Sequence, residues 1–167
     1  MSTSSTQTAD ASGTQPAVPP HSIVVGVDGS PSSEEALRWA LRQSSLTGQE
    51  VHAVNSWGYV VDYGVAMGDF DWQQDAEGVL QKSVQQVAGD DAGRVHQHVV
   101  AGHPVRALLD TARDADLLVV GCRGHGGFRG MLLGSVSQHV AAHATCPVLV
   151  VHEHADSTPP DAGPARP

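Results

Sequence analysis

Leu117-Leu118-Val119-Val120-Gly121-Cys122-Arg123-Gly124, followed after nine residues by Gly134-Ser135, reads as a strand that ends in a glycine-rich turn and re-enters a helix at Ser135. The apolar run bounded by glycine has the form of a buried strand, and Val136, Val140, Ala141 and Ala144 supply a buried helix face after it. Such a turn holds phosphate. Glycines adopt left-handed conformations and approach a ligand closely, while free N–H groups at a helix start and the positive end of its dipole favour an anion. Gly121 is expected to make the tight turn, Gly124 the close approach, and Gly134-Ser135 the anion-binding start of the last helix. A glycine-rich loop that merely links strand to helix is the alternative. No Asp or Glu lies between Leu117 and Val151 in a chain of formal net charge -9, and the only formal charges there are Arg123 and Arg129. A polyanion therefore meets a locally neutral-to-positive surface. Two commoner phosphate loops fail on residues: the only lysine is Lys82, and Arg129 stands where a dinucleotide fingerprint requires its third glycine.

Five apolar runs read as strands: Ile23 to Val27, Val51 to Val54, Val95 to Val100, Leu117 to Val120 and Val148 to Val151. The first, fourth and fifth are continuously hydrophobic, as in parallel strands covered on both faces. Helical patterns lie between them. Ser30-Pro31 is an N-cap and first-turn pair before Leu37, Ala40 and Leu41; Ala76, Leu80, Val84 and Val87 give a second helix; Pro104 opens a third with Val105, Leu108, Leu109 and Ala112. The alternation predicts an α/β, doubly wound domain with a five-stranded parallel sheet and helices on both faces. Ligands bind such sheets beyond the strands' carboxyl ends where strand order reverses. Gly26-Val27-Asp28-Gly29-Ser30 and the Gly121 turn both occupy such ends, so one nucleotide touching both requires the order 3-2-1-4-5. Residues 57–72 form one long insertion, either a lid over a base or a packed surface loop.

The 167-residue length fits one domain, expected at 21–154, with disordered tails at 1–20 and 155–167 on composition. No apolar stretch approaches the ~18 residues of a membrane span and the N-terminus lacks signal-peptide features, which predicts a cytoplasmic protein without a membrane partner. Cys122 and Cys146 are too few for a disulfide framework, and Cys122 reads as a space-filling residue or a reactive thiol. With no Lys/Arg cluster, nucleic acid is not expected as a partner.

Several separate segments together resemble the universal stress protein family, specifically its ATP-binding branch. They are Ile23 to Ser30, the Gly102-His103-Pro104 turn, Ala115 to Gly121, the Gly-x2-Gly-x9-Gly-Ser signature, and His143-Ala144 with Cys146 to Val151. The resemblance covers nearly all of residues 21–152. It implies one Rossmann-like domain, ATP as ligand, and homodimers paired through the last strand. It also implies that Asp28, with Gly26 and Val27, sits at the ribose and adenine, that the Val54 backbone reads the adenine edge, and that Val120, Gly121, Arg123, Gly124, Gly134, Ser135, Val136 and Ser137 surround ribose and phosphates. Physical chemistry agrees: an Asp at a strand end accepts from a ribose hydroxyl, and Ser135 and Ser137 can donate to phosphate. A turn or cap role for Asp28 before Pro31 is the competing reading.

Fast phosphoryl transfer needs carboxylate-held metals, a cationic clamp and an oriented nucleophile. Asp28 is the one carboxylate placed near the nucleotide and His125 the one general-base candidate in the loop, so binding with at most slow hydrolysis is expected, with no catalytic residue assigned. Mg2+ is expected only with the triphosphate. His139 with His143, His96 with His98, and His152 with His154 recur at helix or strand spacing, but no pattern shows three converging ligands, and no protein-held metal is expected. The apolar edge Val148 to Val151 invites twofold pairing with a second copy. Three functions follow: a nucleotide-dependent regulatory module read by an unknown partner, a slow ATPase or phosphotransferase, and a nucleotide-independent dimeric interaction protein.

Overall fold

The computed structural model describes residues 7–8, 18–58, 71–124 and 133–153. Five parallel strands, β1 (Ser22–Gly26), β2 (Glu50–Trp57), β3 (Val95–Ala101), β4 (Leu117–Gly121) and β5 (Val148–Val151), alternate with helices α1 (Pro31–Thr47), α2 (Trp72–Ala88), α3 (Pro104–Thr111) and α4 (Ser135–His143). They lie in the order β3-β2-β1-β4-β5, the anticipated 3-2-1-4-5. Strand order reverses between β1 and β4, whose registers pair Ile23 with Leu117 and Val25 with Val119.

Each helix begins where its sequence signals it. Ser30 caps α1 by accepting from Ser33 N–H ahead of Pro31, and Gly48 ends the helix in the left-handed region at φ 76° with its N–H on Ser44 O. Asp71 caps α2, accepting from Gln74 N–H, and His103 precedes Pro104 at the start of α3. The sheet has an apolar layer on each face. Ile23, Val25, Val51, Ala53 and Val119 meet Leu37 and Ala40 of α1 and Leu80 and Val84 of α2. On the other face Val24, Val54, Val100, Leu118 and Val120 meet Leu108 of α3 and Val140 of α4. Burying each such side chain contributes about 1.5–3 kcal/mol before the entropy of ordering it.

Two features depart from expectation. β2 runs on past Val54 to Trp57, because Asn55, Ser56 and Trp57 continue the ladder with Val99, Val100 and Ala101 of β3. Pairing overrides the weak strand preference of Asn and Ser. The sheet also has a sixth strand, two residues long, where Gln7 and Thr8 run parallel to His98 and Val99 at the outer edge of β3. From the same N-terminal stretch, Val18 is 4% exposed and joins the layer with α3 and α4. Most of the 57–72 insertion, His125, Arg129, His154 and all of residues 155–167 lie outside the described residues. No helix among the described residues is long and apolar enough to cross a membrane.

Candidate functional site

The carboxyl ends of β1, β2, β3 and β4 surround a cleft of about 980 Å³. Every residue expected at the nucleotide site lines it: Gly26, Val27, Asp28, Val54, Val120, Gly121, Arg123, Gly124, Gly134, Ser135, Val136 and Ser137. The two motifs, some ninety residues apart in sequence, therefore share one wall.

Asp28 and Gly124 are where they meet. A Cβ at Gly124 would collide with Asp28 Oδ2, so any larger residue there has to push this carboxylate aside. Asp28 is held in place: its Oδ1 accepts from Ser30 N–H at 3.0 Å and from Ser30 Oγ at 2.6 Å, while its own N–H donates to Ser33 Oγ at 3.3 Å. The turn reading of Asp28 is seen directly, since the oxygen bound by Ser30 closes the turn through Gly29 (φ 83°), while the other faces Gly124. Ser32 Oγ donates to the Arg123 carbonyl, fastening the glycine turn to the first turn of α1.

The role expected for Gly121 is corrected. Positive φ occurs at Gly29, Gly48, Gly89 and Gly102 among the described glycines, and neither Gly121 nor Gly124 is among them. Gly121 is required by space: a Cβ there would come 2.6 Å from Ser32 Oγ and 2.8 Å from Ser33 N. Small size, not left-handed freedom, lets the end of β4 pass beneath α1.

The start of α4 faces the same cleft. Gly134 stands at its N-cap, its N–H donating to Cys122 O at 2.7 Å, and among the described residues no side chain caps the first-turn N–H groups at Ser135 to Ser137. Ser137 makes contacts of its own at this turn. Its hydroxyl is 1% exposed as a residue and reaches Gly134 O at 2.9 Å and Cys122 O at 3.1 Å. Engaged by these backbone carbonyls, the Ser137 hydroxyl braces the turn, and Ser137 still lines the cleft. On the opposite wall, Val54 O accepts from Val27 N–H at 2.9 Å, tying the ends of β1 and β2.

The cleft also has lining residues that were not singled out for the site: Ser33, Asn55, Ser56, Gly102, His103 and Leu108. Asn55 Nδ2 donates to Ala76 O at 3.1 Å, fixing the strand end to α2. His103 Nδ1 accepts from Val105 N–H at 3.3 Å and caps α3. The Gly102-His103-Pro104 turn was legible as a helix start; that it faces Asp28 across the cleft depends on β3 lying next to β2.

Three histidines lie elsewhere, on the α3/α4 face of β2 and β3. His52 Nδ1 is 2.9 Å from His98 Nε2, and His52 Nε2 is 3.3 Å from Glu50 Oε2. Burial, reinforced by His52 and His96, pushes His98 down to about 4, and burial also lowers His52 despite the opposing Glu50. His139 and His143 are exposed on α4 with their Nδ1 atoms on the carbonyls of Ser135 and His139.

The profile of the Universal stress protein family matches residues 20–152. The chain belongs to the universal stress protein family. Universal stress protein Rv2623 of Mycobacterium tuberculosis is 37% identical over 150 residues, covering 83% of this chain and 49% of the relative. Universal stress protein Rv1996 of the same organism is 34% identical over 154 residues, covering 87% and 49%. This universal stress protein chain thus spans about half the length of these relatives. Among solved structures, a universal stress protein in complex with cAMP superposes with a TM-score of 0.61 at 28% identity, covering 80% of this chain and 97% of that one. The universal stress protein from Archaeoglobus fulgidus in complex with dAMP gives 0.59 at 26% identity, covering 78% and 96%.

Proposed function

We propose that this chain is an adenine-nucleotide-binding module that holds ATP, with Mg2+ carried on the triphosphate, and that a regulatory partner reads the bound state. The observation that carries this reading is the packing of Gly124 against the fixed Asp28 carboxylate, which sets a ribose acceptor and an uncapped helix start on opposite parts of one cleft. Asp28 Oδ2 accepts from a ribose hydroxyl. The phosphates lie over Gly121 to Gly124 and against the N–H groups of Ser135 to Ser137, with Ser135 Oγ and Arg123 as further donors. Two relatives solved with cAMP and dAMP support the adenine nucleotide class.

Binding without rapid turnover is favoured by the lining of the cleft. Its described residues include one carboxylate, Asp28, and no lysine, so no acid cage for metals and no ammonium clamp is assembled from them. The same reading includes a homodimer through β5, whose apolar residues Val148 to Val151 stay half-buried at the open edge of the sheet.

Calorimetric titration with ATP, ADP and AMP, with and without Mg2+, tests the proposal. Saturable binding of ATP is expected in the parent, lost in Gly124→Glu and strongly weakened in Asp28→Ala, both variants keeping the parental circular dichroism. Undetectable binding to nucleotide-free parent protein would overturn it.

A further inference from the structure

We propose that Glu50, His52 and His96 form a binding site for a divalent transition metal, zinc being the chemical type that fits best, on the sheet face away from α1 and α2. Strand alternation puts Glu50, His52 and Val54 on one face of β2, and the register sets His52 directly opposite His96 and Val54 opposite His98 on β3. Neighbouring parallel strands thereby hold two imidazoles side by side. Their rings stack at a centroid separation of 4.6 Å and an interplanar angle of 14°, and both Nε2 atoms lie within 4 Å of Glu50 Oε2.

The donor atoms converge. Glu50 Oε2 is 3.3 Å from His52 Nε2 and 3.7 Å from His96 Nε2, and the three ligand atoms all lie within 4.8 Å of one another. Tetrahedral zinc with bonds of about 2.0–2.2 Å separates its ligand atoms by about 3.4 Å, so the trio needs adjustments of a few tenths of an ångström to about an ångström in exposed side chains. Glu50 and His96 can supply them, with side chains 55% and 53% exposed, whereas His52 is 6% exposed and fixed. The open side leaves a fourth position for water. Two imidazoles and one carboxylate are a zinc-type set and not the all-oxygen set that Mg2+ or Ca2+ demands.

A second observation supports ligation by His52. When its Nε2 binds a metal, its proton sits on Nδ1, and His98 Nε2 at 2.9 Å is placed to accept it, the arrangement that orients a ligating imidazole. The site lies toward the amino ends of the strands and shares no residue with the nucleotide cleft.

The test uses the untagged full chain, stripped with chelator and titrated with ZnCl2 by calorimetry and with Co2+ by visible absorption. One metal per chain is expected, with the intense visible bands of four-coordinate cobalt. His96→Ala and Glu50→Ala, at exposed positions, should each lower zinc affinity by roughly 100-fold or more and abolish the cobalt bands, and His98→Gln by roughly 10–100-fold. The double variant His139→Ala/His143→Ala should bind as the parent does. Absence of stoichiometric zinc in the parent, parental affinity in His96→Ala or Glu50→Ala, or loss in the α4 double variant overturns the site.

Discussion

Gly124 has room for a hydrogen and no more, because Asp28 Oδ2 occupies the place of a Cβ. Gly124→Ala therefore forces the carboxylate aside, and its effect depends on Asp28 being there. In titrations of nucleotide, Gly124→Ala should weaken binding substantially in the parent but much less in an Asp28→Ala background, a coupling of about 0.5–3 kcal/mol for residues in contact. Equal effects in both backgrounds would mean that the collision is not what makes glycine necessary. Ser30 joins two tasks, capping α1 through Ser33 N–H and holding Asp28 Oδ1. Ser30→Ala should cost about 1 kcal/mol in urea unfolding and also weaken nucleotide binding; loss of stability alone would separate the cap from the site. Cys146 is half-buried, and burial pushes its thiol up, so at pH 8 it should alkylate more slowly than a free thiol. Mass-resolved iodoacetamide labelling checks this.

At the scale of elements, the cleft is made of ends. β1, β2, β3 and β4 deliver their carboxyl termini to one side of the sheet, and the first turns of α1, α3 and α4 start there. β5 is the outer neighbour of β4, with Val148, Leu149, Val150 and Val151 each half-buried. A charge at the middle of this edge should prevent pairing while leaving the β4 ladder intact. Val150→Asp is expected to shift sedimentation from dimer to monomer at micromolar concentration; a monomeric parent would remove β5 as a self-association edge. The element boundaries were legible in part. Ser30-Pro31, Pro104 and Gly134-Ser135 announced helix starts through local backbone chemistry, which acts within a few residues. The extension of β2 through Asn55, Ser56 and Trp57 was not legible, since it depends on partners in β3 more than forty residues away.

For the whole molecule, bound nucleotide should stabilise the domain through linkage. At a nucleotide concentration about 100 times its dissociation constant, the gain is about 2.7 kcal/mol, or roughly 5–10 °C in melting temperature for a chain of this size. Differential scanning calorimetry with and without ATP reads it, and Gly124→Glu should show no such shift. By itself the sequence determined the α/β alternation, the five main strands and the glycine-rich turns, because hydrophobic period, glycine spacing and capping residues are local signals; the strand order followed from joining two turns to one ligand, and the twelve cleft-lining candidates from family resemblance. Tertiary structure decided how the segments meet. The Ser137 hydroxyl reaches Cys122 O and Gly134 O, Gly121 proved necessary because α1 crosses above it, and Gln7–Thr8 gained a strand by pairing with β3. The convergence of Glu50, His52 and His96 came from strand register. Side chains distant in sequence meet only when parallel strands are aligned, and that alignment is set by the packing of the whole sheet, not by any one segment.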